Sequence, residues 1–350
     1  MFFGRILEVE DAVTHARDIS TTASAPVHDA APTLRSFRRT FARAAPRHYS
    51  RKTKPAIPLS VHPETLEFTH DEFIAERDAR VHIRWLGTAG FEIRCDDHVV
   101  LLDPYITRAS LRRCFLGHIS SDLDAIARYV PRADAIVVGH THFDHALDVP
   151  AIAKHTGAKV FGSRSAIRLC QAAKLPESQL QMVERNPGQE AIVTEVGPFT
   201  LRFAPSAHSR FLLGRVPYPG DIADCDDVPV KTGDYRCGAV FRVEIQVAGR
   251  TIVHLGSAEL TPGGVIPQNV DLLLLCVAGW RASPDLPERV MRSLSPQRVL
   301  LSHWDNFFLP MHEPARMLPA VGMMPLVDRI SSLSRDVRIG TLPIRGEIGL

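Results

Sequence analysis

The sequence predicts an α/β fold in which two β-sheets are flanked by helices on their outer faces, after an N-terminal extension. Two observations support this prediction. From residue 81 onward, segments with strand patterns come in groups that are interrupted by single helices, an order typical of layered sheets and helices. The chain also has 350 residues, of which 45% are hydrophobic and 23% charged, so it can bury a sizeable core without disulfides.

Short segments that are apolar, or that alternate between apolar and polar residues, predict the strands. In chain order they cover residues 81–86, 90–94, 99–102, 135–138, 159–161, 200–203, 240–247, 250–254, 271–276 and 298–301. Ala248 and Gly249 separate two of these segments, which favours a hairpin there. Helical spacing of apolar residues predicts helices at 121–129, 146–154, 165–173 and 324–333.

The composition changes near residue 80, which predicts an N-terminal extension at 1–80 and a main domain at 81–350. Residues 35–54 of the extension are basic and contain no acidic residue, and three prolines follow them. This basic stretch is either an arm that touches an anionic surface or substrate, or a solvated segment that wraps the main domain. We favour the second interpretation, because runs of like charge are usually solvated.

Charge, cysteine usage and hydropathy exclude several classes of protein. The net charge of +2 gives no strong signal for nucleic acid. None of the six cysteines has C-x-x-C spacing, so a structural zinc knuckle is not expected. The most apolar run, residues 272–278, is far shorter than the ~20 residues of a membrane helix. Residues 36–41 are similar to a twin-arginine export signal, but basic residues follow instead of an apolar stretch, so we expect a cytoplasmic protein.

The strongest motif runs from Gly139 to His145 and reads G-H-T-H-F-D-H. It follows a fully apolar predicted strand and precedes a predicted helix. A turn at a strand end points alternate side chains to one place, so His140 and His142 can converge on one metal ion. Asp144 and His145 can then serve a second ion. Imidazoles with one carboxylate are a ligand set for zinc, and they also suit manganese or iron.

This motif resembles the signature of the metallo-β-lactamase superfamily, and the resemblance extends from about Val81 to the C-terminus. Residues 85–90, followed by Leu-Leu-Asp-Pro at 101–104, are similar to the opening hairpin of that family. The resemblance implies a four-layer αββα sandwich in which residues 81–350 form the catalytic domain. It also implies that Asp103 lies just behind the metal ions.

The resemblance implies two metal ligands further along the chain, each at the end of a strand. His208 follows the predicted strand at 200–203, and His303 follows the buried strand at 298–301. The family pattern then gives two sites with three ligands each, which we expect to hold zinc. The first site consists of His140, His142 and His208; the second consists of Asp144, His145 and His303.

One position departs from the family pattern. Many members place an aspartate that bridges the two metals after the strand at 251–256, where this chain has Ser257. Either no carboxylate bridges the metals and Ser257 holds a bridging water, or Glu259 replaces the aspartate from two residues away. His254 shares this strand, and we interpret it as structural because it should point away from the metals.

Two short segments narrow the expected substrate. Residues 303–307 resemble the ending of the ascorbate-phosphate lactonase branch, in which Asp305 would lie near the metals or act as a ligand. Residues 207–210 are similar to a loop of the N-acyl-phosphatidylethanolamine phospholipase D group. Both imply a small-molecule substrate that is phosphorylated, ester-like or lipid-like. Guanidinium groups bind phosphate well, and the candidate arginines are Arg108, Arg112, Arg113, Arg210, Arg215 and Arg281.

The expected activity is hydrolysis of an ester, lactone or phosphoester by a metal-bound hydroxide. The catalytic candidates are Asp144, which would orient the nucleophile, and Ser257. The alternatives are a redox member and a catalytically silent metal-binding member of the same fold. His142 counts against the redox alternative, because di-iron relatives typically carry a glutamate at that position. A nuclease is also disfavoured, since no aromatic-interleaved basic stripe supports it beyond the short basic stretch at 35–54. The sequence does not predict an oligomeric state.

Overall fold

The structure is a computed structural model that describes residues 79–185, 191–210, 214–261, 267–318 and 321–350. The predicted N-terminal extension and its basic stretch lie outside the described residues, apart from residues 79 and 80.

The described residues form two seven-stranded sheets that lie against each other. The first sheet contains β1 (Val81–Gly87), β2 (Gly90–Cys95), β3 (His98–Leu102), β4 (Ala135–Val137), β5 (Lys159–Gly162), β6 (Leu180–Met182) and β14 (Glu347–Gly349). The second contains β7 (Ile192–Val196), β8 (Phe199–Ser206), β9 (Val240–Val247), β10 (Arg250–Leu255), β11 (Leu272–Cys276), β12 (Arg298–Ser302) and β13 (Arg338–Gly340). Their spatial orders are β14-β1-β2-β3-β4-β5-β6 and β13-β12-β11-β10-β9-β8-β7.

Each sheet has an antiparallel and a parallel part. In the first sheet, β14, β1, β2 and β3 pair antiparallel, and the strands from β3 to β6 pair parallel. In the second, β7 to β10 are antiparallel and β10 to β13 are parallel. Parallel strands place their carboxyl ends at one edge of a sheet, so the loops that follow β3, β4, β10 and β12 can meet there.

The core lies between the two sheets. Ile83 and Phe91 of the first sheet belong to the same buried cluster as Phe203 and Val243 of the second. The rings of Phe161 and Phe203 stack across the interface with their centroids 6.1 Å apart. Large apolar side chains on both inner faces are what binds two such sheets together.

Helices cover the outer sides of both sheets, which confirms the predicted α/β sandwich. In the described part of the chain they are α1 (Leu111–Leu116), α2 (Leu123–Tyr129), α3 (Phe143–Ala146), α4 (Val149–Thr156), α5 (Arg164–Ala172), α6 (Leu286–Leu294) and α7 (Met323–Leu333). The α2 helix begins where the Asp122 side chain accepts a hydrogen bond from Ala125 N, and α4 ends at Gly157, whose φ is +76°. None of the described helices is long and apolar enough to cross a membrane.

The helix predicted at 146–154 corresponds to α4, which begins three residues later, and the one-turn helix α3 before it was not predicted. The chain breaks at Asp148, whose carboxylate accepts hydrogen bonds from Ile106 N and Thr107 N, both at 2.7 Å. This buried carboxylate ties the helix junction to the loop after β3. The sequence pattern also missed β6, β7, β13, β14, α1 and α6, most of which are short or lie at sheet edges.

Candidate metal centre

The predicted site residues follow the carboxyl ends of four strands. Asp103 follows β3, the motif with His140 follows β4, and His208 and His303 come after β8 and β12. These side chains are buried or half-buried and meet at one edge of the two sheets. Residues that are far apart in sequence therefore converge because the topology places these strand ends together.

The first candidate site consists of His140, His142 and His208. One ligand atom of each lies within 4.8 Å of those of the others. The ring centroids of His140 and His142 are 4.8 Å apart, and those of His142 and His208 are 4.7 Å apart. Three imidazoles at these distances can share one metal ion.

The second candidate site consists of Asp144, His145 and His303, whose ligand atoms also lie within 4.8 Å of one another. Oδ2 of Asp144 is 3.2 Å from Nε2 of His303 and 3.9 Å from Nε2 of His145. The rings of His140 and His145 have centroids only 3.8 Å apart, so the two candidate sites are adjacent. The structure thus brings together all six predicted ligands, in the predicted division.

Hydrogen bonds fix which ring nitrogen of three histidines remains available. Nε2 of His142 lies 2.9 Å from the carbonyl oxygen of Pro217, and Nδ1 of His208 lies 2.7 Å from that of Ser209. Nδ1 of His145 lies 2.9 Å from Oδ2 of Asp103. A nitrogen that faces such an oxygen carries the proton, so the other nitrogen keeps a lone pair for a metal. The available atoms are therefore Nδ1 of His142 and Nε2 of His208 and His145.

The remaining two histidines carry buried nitrogens without partners. Both ring nitrogens of His140 and Nδ1 of His303 lack a hydrogen-bond partner among the described residues. A buried polar atom without a partner costs about 1–3 kcal/mol, which folded proteins avoid unless another group satisfies it. A divalent metal ion would satisfy Nε2 or Nδ1 of His140, so the residues present fit a metal centre.

Burial keeps the first candidate site in the form that binds metals. It lowers the pKa of His142 to about 4 and that of His208 to about 3, and it holds the pKa of His140 well below its usual value. These imidazoles are therefore neutral at pH 7, as metal ligation requires. In His145, burial lowers the pKa, but the carboxylates of Asp103 and Asp144 outweigh it, and the pKa is raised.

Asp103 lies directly behind His145. Its Oδ1 accepts a hydrogen bond from Gly139 N at 2.5 Å, and its Oδ2 faces His145. A Cβ atom on residue 139 would stand 2.9 Å from Oδ2 of Asp103, and one on residue 256 would stand 2.5 Å from it. Gly139 and Gly256 therefore leave the space that this carboxylate occupies. Asp103 also forms a possible ligand group with His140 and His145.

Ser257 and Glu259 lie in different surroundings. Oγ of Ser257 accepts a hydrogen bond from Ser209 N at 2.9 Å, which fixes the backbone next to His208. The carboxylate of Glu259 instead accepts hydrogen bonds from Arg289 and Ser283, each at 2.5 Å. With both oxygens of Glu259 engaged elsewhere, the geometry does not favour the interpretation in which this residue replaces the bridging aspartate.

His254 contributes to none of the possible ligand groups among the described residues. Its Nε2 lies 3.0 Å from the carbonyl oxygen of Ala89, and its ring stands edge-on to Phe91. A Cβ atom on residue 256 would stand 2.5 Å from Oδ2 of Asp103 and 2.9 Å from Cε1 of His254, so Gly256 leaves room for both side chains. The structural role expected for His254 stays a prediction.

Arg108 and Asp305 face each other. Nη2 of Arg108 donates to Oδ2 of Asp305 at 2.6 Å, and their side chains are 1% and 0% exposed. Arg108, one of the six candidate anion-binding arginines, is therefore buried in an ion pair, and the same pair engages Oδ2 of Asp305. The other five candidate arginines are exposed. Sequence reasoning missed this pair because arginine in a polar loop usually marks the surface.

Comparison with known proteins identifies the family to which this centre belongs. Residues 98–304, more than half of the chain, match the family described as the beta-lactamase superfamily domain. The chain belongs to this superfamily. It is 26% identical over 234 residues to a UPF0173 metal-dependent hydrolase from Anaeromyxobacter sp. strain K, covering 65% of this chain and 76% of that protein.

A second relative, a UPF0173 metal-dependent hydrolase from Myxococcus xanthus, is 31% identical over 233 residues, which cover 65% of this chain and 72% of the relative. The metallo-beta-lactamase fold protein YhfI from Bacillus subtilis is similar in structure, with a TM-score of 0.45 and 16% identity over 78% of this chain and 98% of that one. This member of the metallo-β-lactamase superfamily is a metal-dependent hydrolase. The predicted family and enzyme class are confirmed.

Proposed function

We propose that the enzyme hydrolyses a small ester, lactone or phosphoester with two metal ions bound side by side. The observation that carries this proposal is the pair of adjacent three-residue groups, in which hydrogen bonds direct a free nitrogen of His142, His145 and His208 inward. His140, His142 and His208 would hold one ion. Asp144, His145 and His303 would hold the other.

Zinc is the metal that we propose, with manganese or iron as the alternatives. The first candidate site offers three imidazole nitrogens, and the second offers two with a carboxylate, which are donor sets of zinc enzymes. Three protein ligands at each ion leave a position for water or substrate. Metal ions in such a centre lower the pKa of water to about 7 and polarise the bond that is attacked.

Asp144 is the residue that we propose to orient the attacking water. Burial raises the pKa of its carboxyl, but His145, His303 and His142 outweigh burial and hold the pKa below its usual range. The carboxylate is therefore ionised at pH 7, so it can accept a hydrogen bond from a water molecule and orient it. Ser257 would support the ligand His208 indirectly, because its hydroxyl accepts a hydrogen bond from the backbone of the neighbouring Ser209.

The ester, lactone or phosphoester class rests on the resemblance of residues 303–307 and 207–210 to two branches of the superfamily. Aromatic side chains beside the centre could contact an apolar or lipid-like part of the substrate. Phe307 is half-buried, and its ring centroid lies 5.3 Å from that of His303 and 6.2 Å from that of Phe143. Arg210, which is exposed and follows His208 by two residues, and the exposed Arg281 are the candidates that we propose to bind a phosphate.

We also propose that residues 81–350 are the catalytic domain and 1–80 an extension, and that the enzyme acts in the cytoplasm. The six cysteines are free thiols, and five of them are buried. Thiols without disulfides are typical of proteins in a reducing compartment.

The test combines metal analysis with a substrate panel. The full chain is stripped with a chelator, reloaded with zinc, manganese or iron, and assayed on p-nitrophenyl acetate, a γ-lactone and p-nitrophenyl phosphate. We expect turnover of at least one compound only after reloading, with close to two zinc ions per chain. A protein that binds two metals but hydrolyses none of these would contradict the proposed substrate class. A protein that holds no metal after reloading would contradict the two-metal centre.

A further inference from the structure

The Arg108–Asp305 ion pair lies in the interior but outside both candidate sites. Its side chains are 1% and 0% exposed, and Nε of Arg108 also donates to the carbonyl oxygen of Leu309 at 2.6 Å. Removing both charges from water is costly, and a buried pair is only weak evidence for stability. Stability of the fold is therefore not a sufficient explanation for this ion pair.

Asp305 connects the pair to the turn after β1. Its Oδ1 accepts a hydrogen bond from Thr88 N at 2.9 Å, while its Oδ2 is held by Arg108. The carbonyl oxygen of Thr88 in turn accepts hydrogen bonds from His303 N at 2.7 Å and from Trp85 Nε1 at 3.0 Å. A chain of polar contacts thus runs from Arg108 through Asp305 and Thr88 to the backbone of His303.

His303 needs such support because its backbone is strained. Its φ is +59°, in the left-handed region of backbone conformation that residues other than glycine rarely adopt. A residue persists there only when its surroundings hold it. The same backbone places Nε2 of His303 3.2 Å from Oδ2 of Asp144 in the second candidate site.

The shape of the site around Arg108 is specific for arginine. Its guanidinium reaches Asp305, Leu309 and the carbonyl oxygen of Asn306, the last at 3.0 Å. Its Nη1 lies against Gly87, where a Cβ atom would collide with it. Lysine has a single nitrogen and cannot make these contacts at once.

We propose that Arg108 is a positioning residue of the metal centre. Through Asp305 and Thr88 it holds His303 in the strained conformation that directs the ring to Asp144. The inference rests on the proposed function, because it assigns His303 to the second metal. A positioning role differs from a general stabilising role, because loss of Arg108 should weaken metal binding at the second candidate site and leave binding at the first unchanged.

The experiment compares Arg108→Gln, Asp305→Asn and the double variant with the parent. A fourth protein, Leu326→Ala, is the control for lost stability, because Leu326 is fully buried on α7 and has no part in the ligand groups. Zinc affinity is measured for the first and second equivalents. For Arg108→Gln we expect the second equivalent to bind about 10–100-fold more weakly, as for partners behind metal ligands. The double variant should lose no more than Arg108→Gln, because the two side chains act as a unit.

Hydrogen exchange on the metal-free full-length proteins separates this inference from the proposed function. Peptides that cover residues 300–309 should lose protection in Arg108→Gln, while peptides from α7 keep it. If the parent bound no zinc, the proposed function would fail, and the exchange data would still decide whether Arg108 holds His303. Unchanged protection at 300–309, or equal weakening of both zinc equivalents in Arg108→Gln and Leu326→Ala, would overturn the inference.

Discussion

The carboxylate of Asp103 lies 2.9 Å from Nδ1 of His145, with both side chains buried. The contact fixes the tautomer of His145, so that Nε2 faces the second candidate site. It also makes the imidazole more basic, since Asp103 raises the pKa of His145 against the effect of burial. A metal ligand of this kind depends on the partner behind it.

The first prediction follows from this contact. Asp103→Asn preserves the shape of the side chain but removes the charge behind His145. We expect the second zinc equivalent to bind about 10–100-fold more weakly, with the first equivalent nearly unchanged. Isothermal titration of the metal-free protein measures both. Equal affinity of parent and variant for the second equivalent would show that Asp103 does not support this ligand.

The second prediction concerns the ligands themselves. His142→Ala should lower hydrolysis by more than about 100-fold, because loss of even a supporting partner costs roughly 10–100-fold. The matched control is His155→Ala, since His155 is exposed on α4 and belongs to none of the possible ligand groups among the described residues. Turnover at saturating zinc is the measurement. Similar losses in the two variants, with both folded by circular dichroism, would remove His142 from the centre.

The third prediction concerns the stability of the metal-free protein in acid. The folded-state pKa values of His142 and His208, about 4 and about 3, lie below the ordinary value of about 6.5. The unfolded chain therefore binds protons first, so stability should fall as the pH drops from about 6.5 towards 3. His140, whose pKa is also held well below its usual value, acts in the same direction. His145 acts in the opposite direction, because its raised pKa contributes stability that is lost as the pH rises.

Urea unfolding of the chelator-treated protein at several pH values checks this dependence. His155→Ala serves again as the control, because His155 is exposed on α4 and belongs to none of the possible ligand groups among the described residues. His208→Ala should flatten part of the profile by removing one of the histidines whose pKa is lowered. A profile of the parent that stays level between pH 6.5 and 4 would contradict the prediction.

The motif at 139–145 marked one part of this centre in the sequence, and the resemblance to the superfamily supplied the two ligands that lie further along the chain. His208 and His303 are single histidines in unrelated segments, yet each follows a strand whose end meets the loop of His140. The carbonyl oxygen of Pro217 that orients His142 could not be predicted, since a backbone contact leaves no signal in the side chains. The burial of Arg108 could not be predicted either, because it depends on Asp305, which is far away in sequence.

The strands also differ in how well the sequence predicts them. Long strands with clear patterns, such as β9 (Val240–Val247), were predicted with their bounds, and the hairpin to β10 (Arg250–Leu255) is present. The short strands β6 (Leu180–Met182) and β13 (Arg338–Gly340) have three residues each, too few to show a period. They exist because a neighbouring parallel strand supplies their hydrogen bonds.

The last prediction concerns Ser257, which stands where many members of the superfamily have a bridging aspartate. Ser257→Asp places a carboxylate at the end of β10, where it would face two cations at short range. Metal ions are the largest local charges in such a centre, so we expect tighter zinc binding, above all for the second equivalent. Turnover could still fall, because the added charge offsets the cations that activate water. The hydrogen bond from Ser209 N to Ser257 also has to be replaced by the new carboxylate.

Glu259→Gln decides between the two arrangements that the sequence left open. In the structure this carboxylate faces Arg289 at 2.5 Å and Ser283 at 2.5 Å, away from the ligand groups. We therefore expect Glu259→Gln to lower thermal stability while both zinc equivalents bind as in the parent. A chelator titration of the parent, Ser257→Asp and Glu259→Gln compares the three proteins directly. If Glu259→Gln lost the second zinc while Ser257→Asp gained nothing, Glu259 would be the bridging ligand, and its contact with Arg289 would have to break when metal binds.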